Sequence, residues 1–198
     1  MRARNRNLAG ALVLVGVFAA ALLRPPEIFG GLLVYGEGFA FTVVEPVKWK
    51  GDIKSAAQWG ANIIFYPQGE SPSATGTVVI RIGVFDKTDE DTSKDLDADM
   101  NQYRSKYPKV AFKNIDGIKT QYKAWPRLFY LPNTFYEYVT YLNPGPEHRK
   151  LISISMNKSG TPATADELHA YQAVIQSFAL ISAPGFRVYN GSKGQVRN

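Results

Sequence analysis

The chain has 198 residues and no cysteine, with 23 Lys and Arg against 17 Asp and Glu. The missing cysteine excludes thiolate catalysis, Cys-ligated zinc and lipid attachment through a lipobox cysteine. The formal charge of +6 is set at the two ends: Arg2, Arg4, Arg6 and Arg24 stand at the start and Arg187, Lys193 and Arg197 at the finish, and without these seven, 16 basic residues face 17 acidic ones. A body so close to neutral argues against nucleic-acid binding, which needs a basic stripe to neutralise phosphates.

Arg2, Arg4 and Arg6 precede an uncharged apolar run over residues 8–23, LAGALVLVGVFAAALL. A positive n-region followed by an apolar h-region is the pattern of a secretory signal. As a helix the run spans about 24 Å, short of the ~30 Å hydrocarbon core of a bilayer. Ala19, Ala20 and Ala21 offer an A-x-A-like cleavage point, and Arg24-Pro25-Pro26 stops the helix. Residues 1–24 are therefore expected to be a cleaved signal peptide or a retained membrane anchor. In either case the positive end stays inside and the domain faces outward, which places it in the periplasm or outside the cell.

Residues 25–35 read as a connector. A strand begins at Phe39, where Phe39, Phe41 and Val43 alternate with Ala40 and Thr42, and Pro46 ends it. Residues 62–66 are a short apolar run closed by Pro67. Residues 68–76 are rich in Gly, Ser and Pro and form a loop. The clearest strand covers 77–85, with Val78, Ile80, Ile82 and Val84 on one face.

Residues 91–107 read as a helix, because Leu96, Met100, Tyr103 and Tyr107 form one apolar stripe. Acidic residues load its first turns, Arg104 and Lys106 load its last, and Pro108 terminates it. Strands are expected around 119–124, 135–142 and 151–157. Asn143-Pro144-Gly145-Pro146 joins the last two as a hairpin. A second helix covers 165–178, with Thr164 and Glu167 as a capping box and Leu168, Tyr171, Ile175 and Phe178 as its buried stripe. Residues 182–198 have no periodicity and are expected to be a flexible tail. Consecutive strands without intervening helices predict antiparallel pairing. The fold class is α+β: one globular domain over 36–181, with two main helices on a central antiparallel sheet.

Gly36-Glu37-Gly38-Phe39, followed by Pro46 and Trp49, resembles the opening of the PsbP-like domain, and Ser177-Phe178 is similar to its close. That family includes the extrinsic oxygen-evolving protein of photosystem II and exported bacterial DcrB-like proteins, and its fold is shared with a Ran-binding nucleotide-release factor. The element order agrees over 36–181. The resemblance implies an α/β/α sandwich, and binding or assembly work in place of catalysis. It carries over no functional residue: Gly38, Phe39, Pro46 and Trp49 would serve the fold.

Among candidates for chemistry, Asp95, Asp97 and Asp99 alternate like a calcium loop. Met100 stands where that loop needs glycine, however, and Lys106 where it needs a bidentate Glu. They read as a helix start and a solvated face. Asp86, Asp89 and Asp91 are the remaining candidates for a weak divalent-cation site, and no cofactor is expected. His148 and His169 have neither metal-ligand spacing nor a nucleophile elbow beside them. The segment 125–132, WPRLFYLP, reads as a proline-bounded apolar loop. It packs on the sheet, or it offers Trp125, Arg127, Phe129 and Tyr130 as a binding surface. The expected function is a non-enzymatic exported module that binds a protein or envelope component. The alternatives are a carrier with an apolar cavity between sheet and helix, and a carboxylate-based envelope hydrolase.

Overall fold

The computed structural model describes residues 31–88 and 92–181. The expected leader and tail lie outside the described residues. Among those described, no helix is long and apolar enough to cross a membrane.

In chain order the elements are β1 (Gly31–Gly36), β2 (Phe39–Val44), β3 (Trp49–Asp52), a 3-10 turn (Ala56–Trp59), β4 (Ile63–Pro67), β5 (Val79–Asp86), α1 (Ser93–Lys106), β6 (Ala111–Asn114), β7 (Lys123–Leu131), β8 (Phe135–Asn143), β9 (Lys150–Ser159), α2 (Ala165–Ser177) and β10 (Ala179–Leu180). Seven strands form one sheet in the order β3-β4-β5-β9-β8-β7-β6, and β1-β2-β10 form a second, smaller one. Every strand pairing is antiparallel. The fold is α+β, as the runs of consecutive strands without intervening helices predict.

Strand alternation gives the large sheet two unlike faces. On the first, Ile80, Ile82, Ile152, Ile154, Met156 and Leu142 meet Ala170, Tyr171, Val174 and Ile175 of α2, together with Val34, Phe41 and Val43 of the small sheet. Removing such side chains from water stabilises the fold by roughly 1.5–3 kcal/mol each. The Tyr171 hydroxyl, fully buried here, lies 2.9 Å from both Thr140 Oγ1 and the Ile154 carbonyl oxygen. The Thr164 hydroxyl accepts from the Glu167 N–H at 3.3 Å while the Glu167 carboxylate accepts from the Thr164 N–H at 2.7 Å, completing the expected capping box. On the second face α1 lays Leu96, Met100, Tyr103 and Tyr107 against Phe129, Phe135, Val139, Tyr141 and Leu151. The two helices therefore cover opposite faces of one sheet.

Four details depart from expectation. Residues 31–35, read as connector, belong to β1. They alternate, with Val34 buried and Leu33 and Tyr35 half-exposed, and a tight turn at Gly38 (φ +71°) returns the chain into β2. The short edge strands β3 and β6 carry too few residues for a periodic signal. The strand expected around 119–124 begins only at Lys123, and the segment 125–132 is not a loop: residues 125–131 continue that strand as β7, whose register with β8 runs from Lys123↔Asn143 to Leu131↔Phe135, and only Pro132 lies in the following turn. Pro126 is tolerated because its carbonyl accepts from Ile115 N–H at 3.1 Å, just beyond the last β6 pair. Its nitrogen faces that same outer side, so no bond to β8 is lost. Finally, Leu168 is exposed and the buried stripe of α2 runs through Ala170, Tyr171, Val174 and Ile175.

These placements predict a contrast measurable by urea denaturation. Ile154→Ala should cost about 2–5 kcal/mol through loss of transfer energy and cavity formation. Tyr171→Phe should cost about 1–2 kcal/mol by leaving its polar partners unsatisfied. Leu168→Ala should stay within about 0.5 kcal/mol of wild type.

Candidate ligand-binding cleft

Strands β5, β9 and β8 carry polar side chains on the second face in register. Arg81 lies opposite Ser155, Gly83 opposite Ser153, Asn157 opposite Glu137 and Ser153 opposite Tyr141. α1 covers the β7–β8 side of this face and reaches Leu151 at the start of β9. The end of the 3-10 turn and the residues after it bound the other side with Trp59, Gly60 and Ala61. Between them lies an open cleft of about 600 Å³. Its floor is Arg81, Ser153, Ser155, Asn157 and Glu137, and its α1 wall is Asp99, Gln102, Tyr103 and Lys106. Gly83 keeps the floor low: a Cβ there would meet the Phe85 ring at 2.7 Å.

An ion pair organises the floor. The Arg81 guanidinium bonds the Glu137 carboxylate across β9. Arg81 Nε also donates to Ser155 Oγ at 3.1 Å, and Asn157 Nδ2 donates to the second Glu137 oxygen at 3.5 Å. Side-chain exposures of 28% for Arg81 and 12% for Glu137 show that the acid is the more deeply held partner. Planar guanidinium geometry suits such a multi-partner role better than an ammonium would.

The wall is coupled to this floor. Tyr141 donates its hydroxyl to Asp99. Burial pushes the Asp99 carboxyl above its ordinary value, and the Glu137 charge adds to the shift, while the Tyr141 bond and Arg127 oppose it. Burial, with the Glu137 and Asp99 charges, likewise pushes the Tyr103 hydroxyl up. Tyr103 also stacks on Phe129 at 4.0 Å between ring centroids, which fixes α1 on the sheet.

The residues expected to form a docking loop are divided by this arrangement. Phe129 is 1% exposed and belongs to the core under α1. Trp125 packs at the margin of the same cluster, with Lys123 Nζ 5.0 Å from its ring centroid. Tyr130 points to the other face and stacks on Tyr136 at 5.9 Å. Arg127 lies beside Val139, close enough to Asp99 and Tyr141 to act on both, and its buried Nη1 has no hydrogen-bond partner.

Of the acidic candidates, Asp86 is exposed and bonds Lys150 Nζ at 2.9 Å, and that ammonium holds its carboxyl below the usual range. A cation there would have to displace the ammonium. Asp89 and Asp91 lie outside the described residues. No group of three potential metal ligands occurs among the described residues. Asp97 is exposed as a solvated face predicts, but Asp99 turns inward to Tyr141. His148 lies in the β8–β9 connection and His169 on the exposed side of α2, so neither reaches the cleft.

The fold and cleft together define an α+β sandwich with a polar concavity on one sheet face. No protein-family model matches the chain and no curated protein matches it.

The raised Asp99 carboxyl gives a signed pH effect. A buried acid that binds its proton more tightly in the folded state destabilises that state increasingly as pH rises from the unfolded value, near 3.8, through the folded one. Asp99→Asn should therefore unfold at higher urea than wild type at pH 7. The advantage should shrink as pH falls and vanish below 3.8, which paired urea midpoints across pH 3–7 will show.

Proposed function

We propose that this protein is an exported, non-enzymatic binding module that holds a small polar, hydroxyl-bearing ligand in the cleft between α1 and the 3-10 turn. The carrying observation is the floor: an ion pair, an amide and serine hydroxyls in register on a half-covered sheet face. Such groups offer donors and acceptors at fixed positions, which is what orients a polar ligand. Export rests on the arginine-led apolar run at residues 2–23. Kinship with PsbP-like domains remains part of the proposal and is supported by the Gly36–Trp49 pattern and by helices on both faces of an antiparallel sheet.

Binding is favoured over catalysis because the Glu137 carboxylate is already occupied by Arg81 and Asn157. A general base needs a free lone pair directed at its substrate. The carboxylate-hydrolase reading is the second one, favoured by the presence of Asp99 and Glu137 in one cleft with the Asp99 carboxyl shifted upward. An apolar ligand is disfavoured by the same polar floor. A protein partner docking through Trp125, Arg127, Phe129 and Tyr130 is disfavoured by the burial of Phe129.

A thermal-shift panel of soluble sugars, amino acids, dipeptides and nucleotides tests the reading. At least one class should raise the unfolding temperature of wild type and fail to do so for Ser155→Leu, which fills the floor. No shift with any class, or a shift that survives in Ser155→Leu, contradicts it. Chemical turnover of the stabilising compound would transfer the cleft to the hydrolase reading.

A further inference from the structure

A second cleft, of about 440 Å³, adjoins the first. Asp52, Ser55, Gln58, Tyr66, Ser71 and Ser73 are among its lining residues. One residue, Trp59, lines both clefts. Both volumes lie within the range of roughly 300–1,000 Å³ usual for ligand sites.

Trp59 is fixed as a partition. It ends the 3-10 turn, and Gly60 (φ 62°) then turns the chain, with Gly60 N–H donating to the Ala57 carbonyl at 3.1 Å and Ala61 N–H to that of Ala56 at 3.1 Å. Trp59 and Ala61 pack against a cluster of Ala56, Ile64, Tyr66 and Val79. Trp59 is partly buried: it packs on that cluster and lines both cavities.

The second cleft matches the first in chemistry. It offers hydroxyls, the Gln58 amide and the Asp52 carboxylate. Asp52 Oδ1 accepts from Ser55 N–H at 2.9 Å, and the Ser55 backbone bond leads the interactions that hold the Asp52 carboxyl below its usual range. That acid stays ionised and accepts hydrogen bonds. The carboxylates of Asp52, Asp99 and Glu137 repel a phosphodiester chain; of the cations lining the first cleft, Arg81 is already paired with Glu137 and Lys106 lies over the Tyr107 ring.

We infer that the two clefts form one extended site for an uncharged oligosaccharide, with Trp59 as the platform between consecutive sugar units. A pyranose presents hydroxyls around its rim and C–H groups on its faces. The rim satisfies the carboxylates, amides and serines on either side. The C–H groups, partly positive, lie on the negative face of the indole. Two polar cavities separated by a supported aromatic ring suit a repeating polyol chain better than a single compact metabolite. This inference rests on the polar-ligand reading of the first cleft and adds the ligand class and the second subsite.

Isothermal titration of the full chain with N-acetylglucosamine, its β-1,4-linked tetramer and cellotetraose tests it. At least one tetramer should bind about ten-fold or more tighter than the monosaccharide. Trp59→Ala should abolish that difference and Trp59→Phe should restore most of it. Ser73→Tyr, an exposed change that fills the second cleft, should abolish it as well. Equal affinity for monomer and tetramers overturns the extended site and leaves the first cleft standing. Absence of all sugar binding, alongside a shift from another class in the thermal panel, overturns the saccharide assignment alone. Silence in both experiments overturns both readings.

Discussion

The ion pair between Arg81 and Glu137 is the constraint on which the second sheet face depends. The two residues sit on β5 and β8, two strands apart, with β9 between them. Their pairing bridges three central strands and gives Ser155 and Asn157 fixed partners. An antiparallel sheet in a sandwich ordinarily hides both faces behind apolar side chains. Here the first face does so, while the second changes character: apolar under α1, charged and hydroxylic across the middle of β5, β9 and β8, and apolar again where Ile64, Tyr66 and Val79 pack under the 3-10 turn. α1 can then leave the middle of the sheet open with little apolar surface exposed to water beyond the half-exposed Phe85.

That arrangement is unfavourable as a way of stabilising a fold. Two partly buried charges lose solvation, and well-packed apolar residues of similar volume often serve stability as well or better. Asp99 points in the same direction, since its carboxyl is held against Tyr141 where burial opposes its charge. Retaining three ionisable groups around one concavity makes sense if the concavity binds something. On this account the stability of the domain comes from the opposite face, where α2 and the small sheet enclose Ile152, Ile154, Met156 and Tyr171.

The first face was legible in the sequence. Alternation in 77–85 and 151–157 marks β5 and β9, the Pro-Gly-Pro turn marks the β8–β9 hairpin, and the capping box marks the start of α2. The α1 stripe was legible too, and all four of its residues pack as expected. Failures have local causes. Leu33 and Tyr35 obscure the alternation of β1. Pro126 breaks the pattern of β7, and only the neighbouring end of β6 explains why it is tolerated. The cleft was not legible at all. Ser153, Ser155 and Asn157 look like an ordinary solvent face, and nothing local in the sequence says that Trp59 and α1 flank them. The signal available was narrow: Arg81 and Glu137 are charges inside otherwise apolar strands, and such charges call for partners. Their separation of 56 residues hides the pairing until the strand order is known.

The most direct test replaces the pair by apolar residues of similar size. Unfolding free energies should be measured for Glu137→Leu, Arg81→Met and the double variant, alongside ligand-induced thermal shift. The account predicts that each single change destabilises by leaving an unpaired charge, that the double variant recovers wild-type stability or exceeds it, and that it no longer responds to ligand. A double variant as unstable as the sum of the singles, or one that still binds, would mean that the pair serves the fold and that the cleft is not the site.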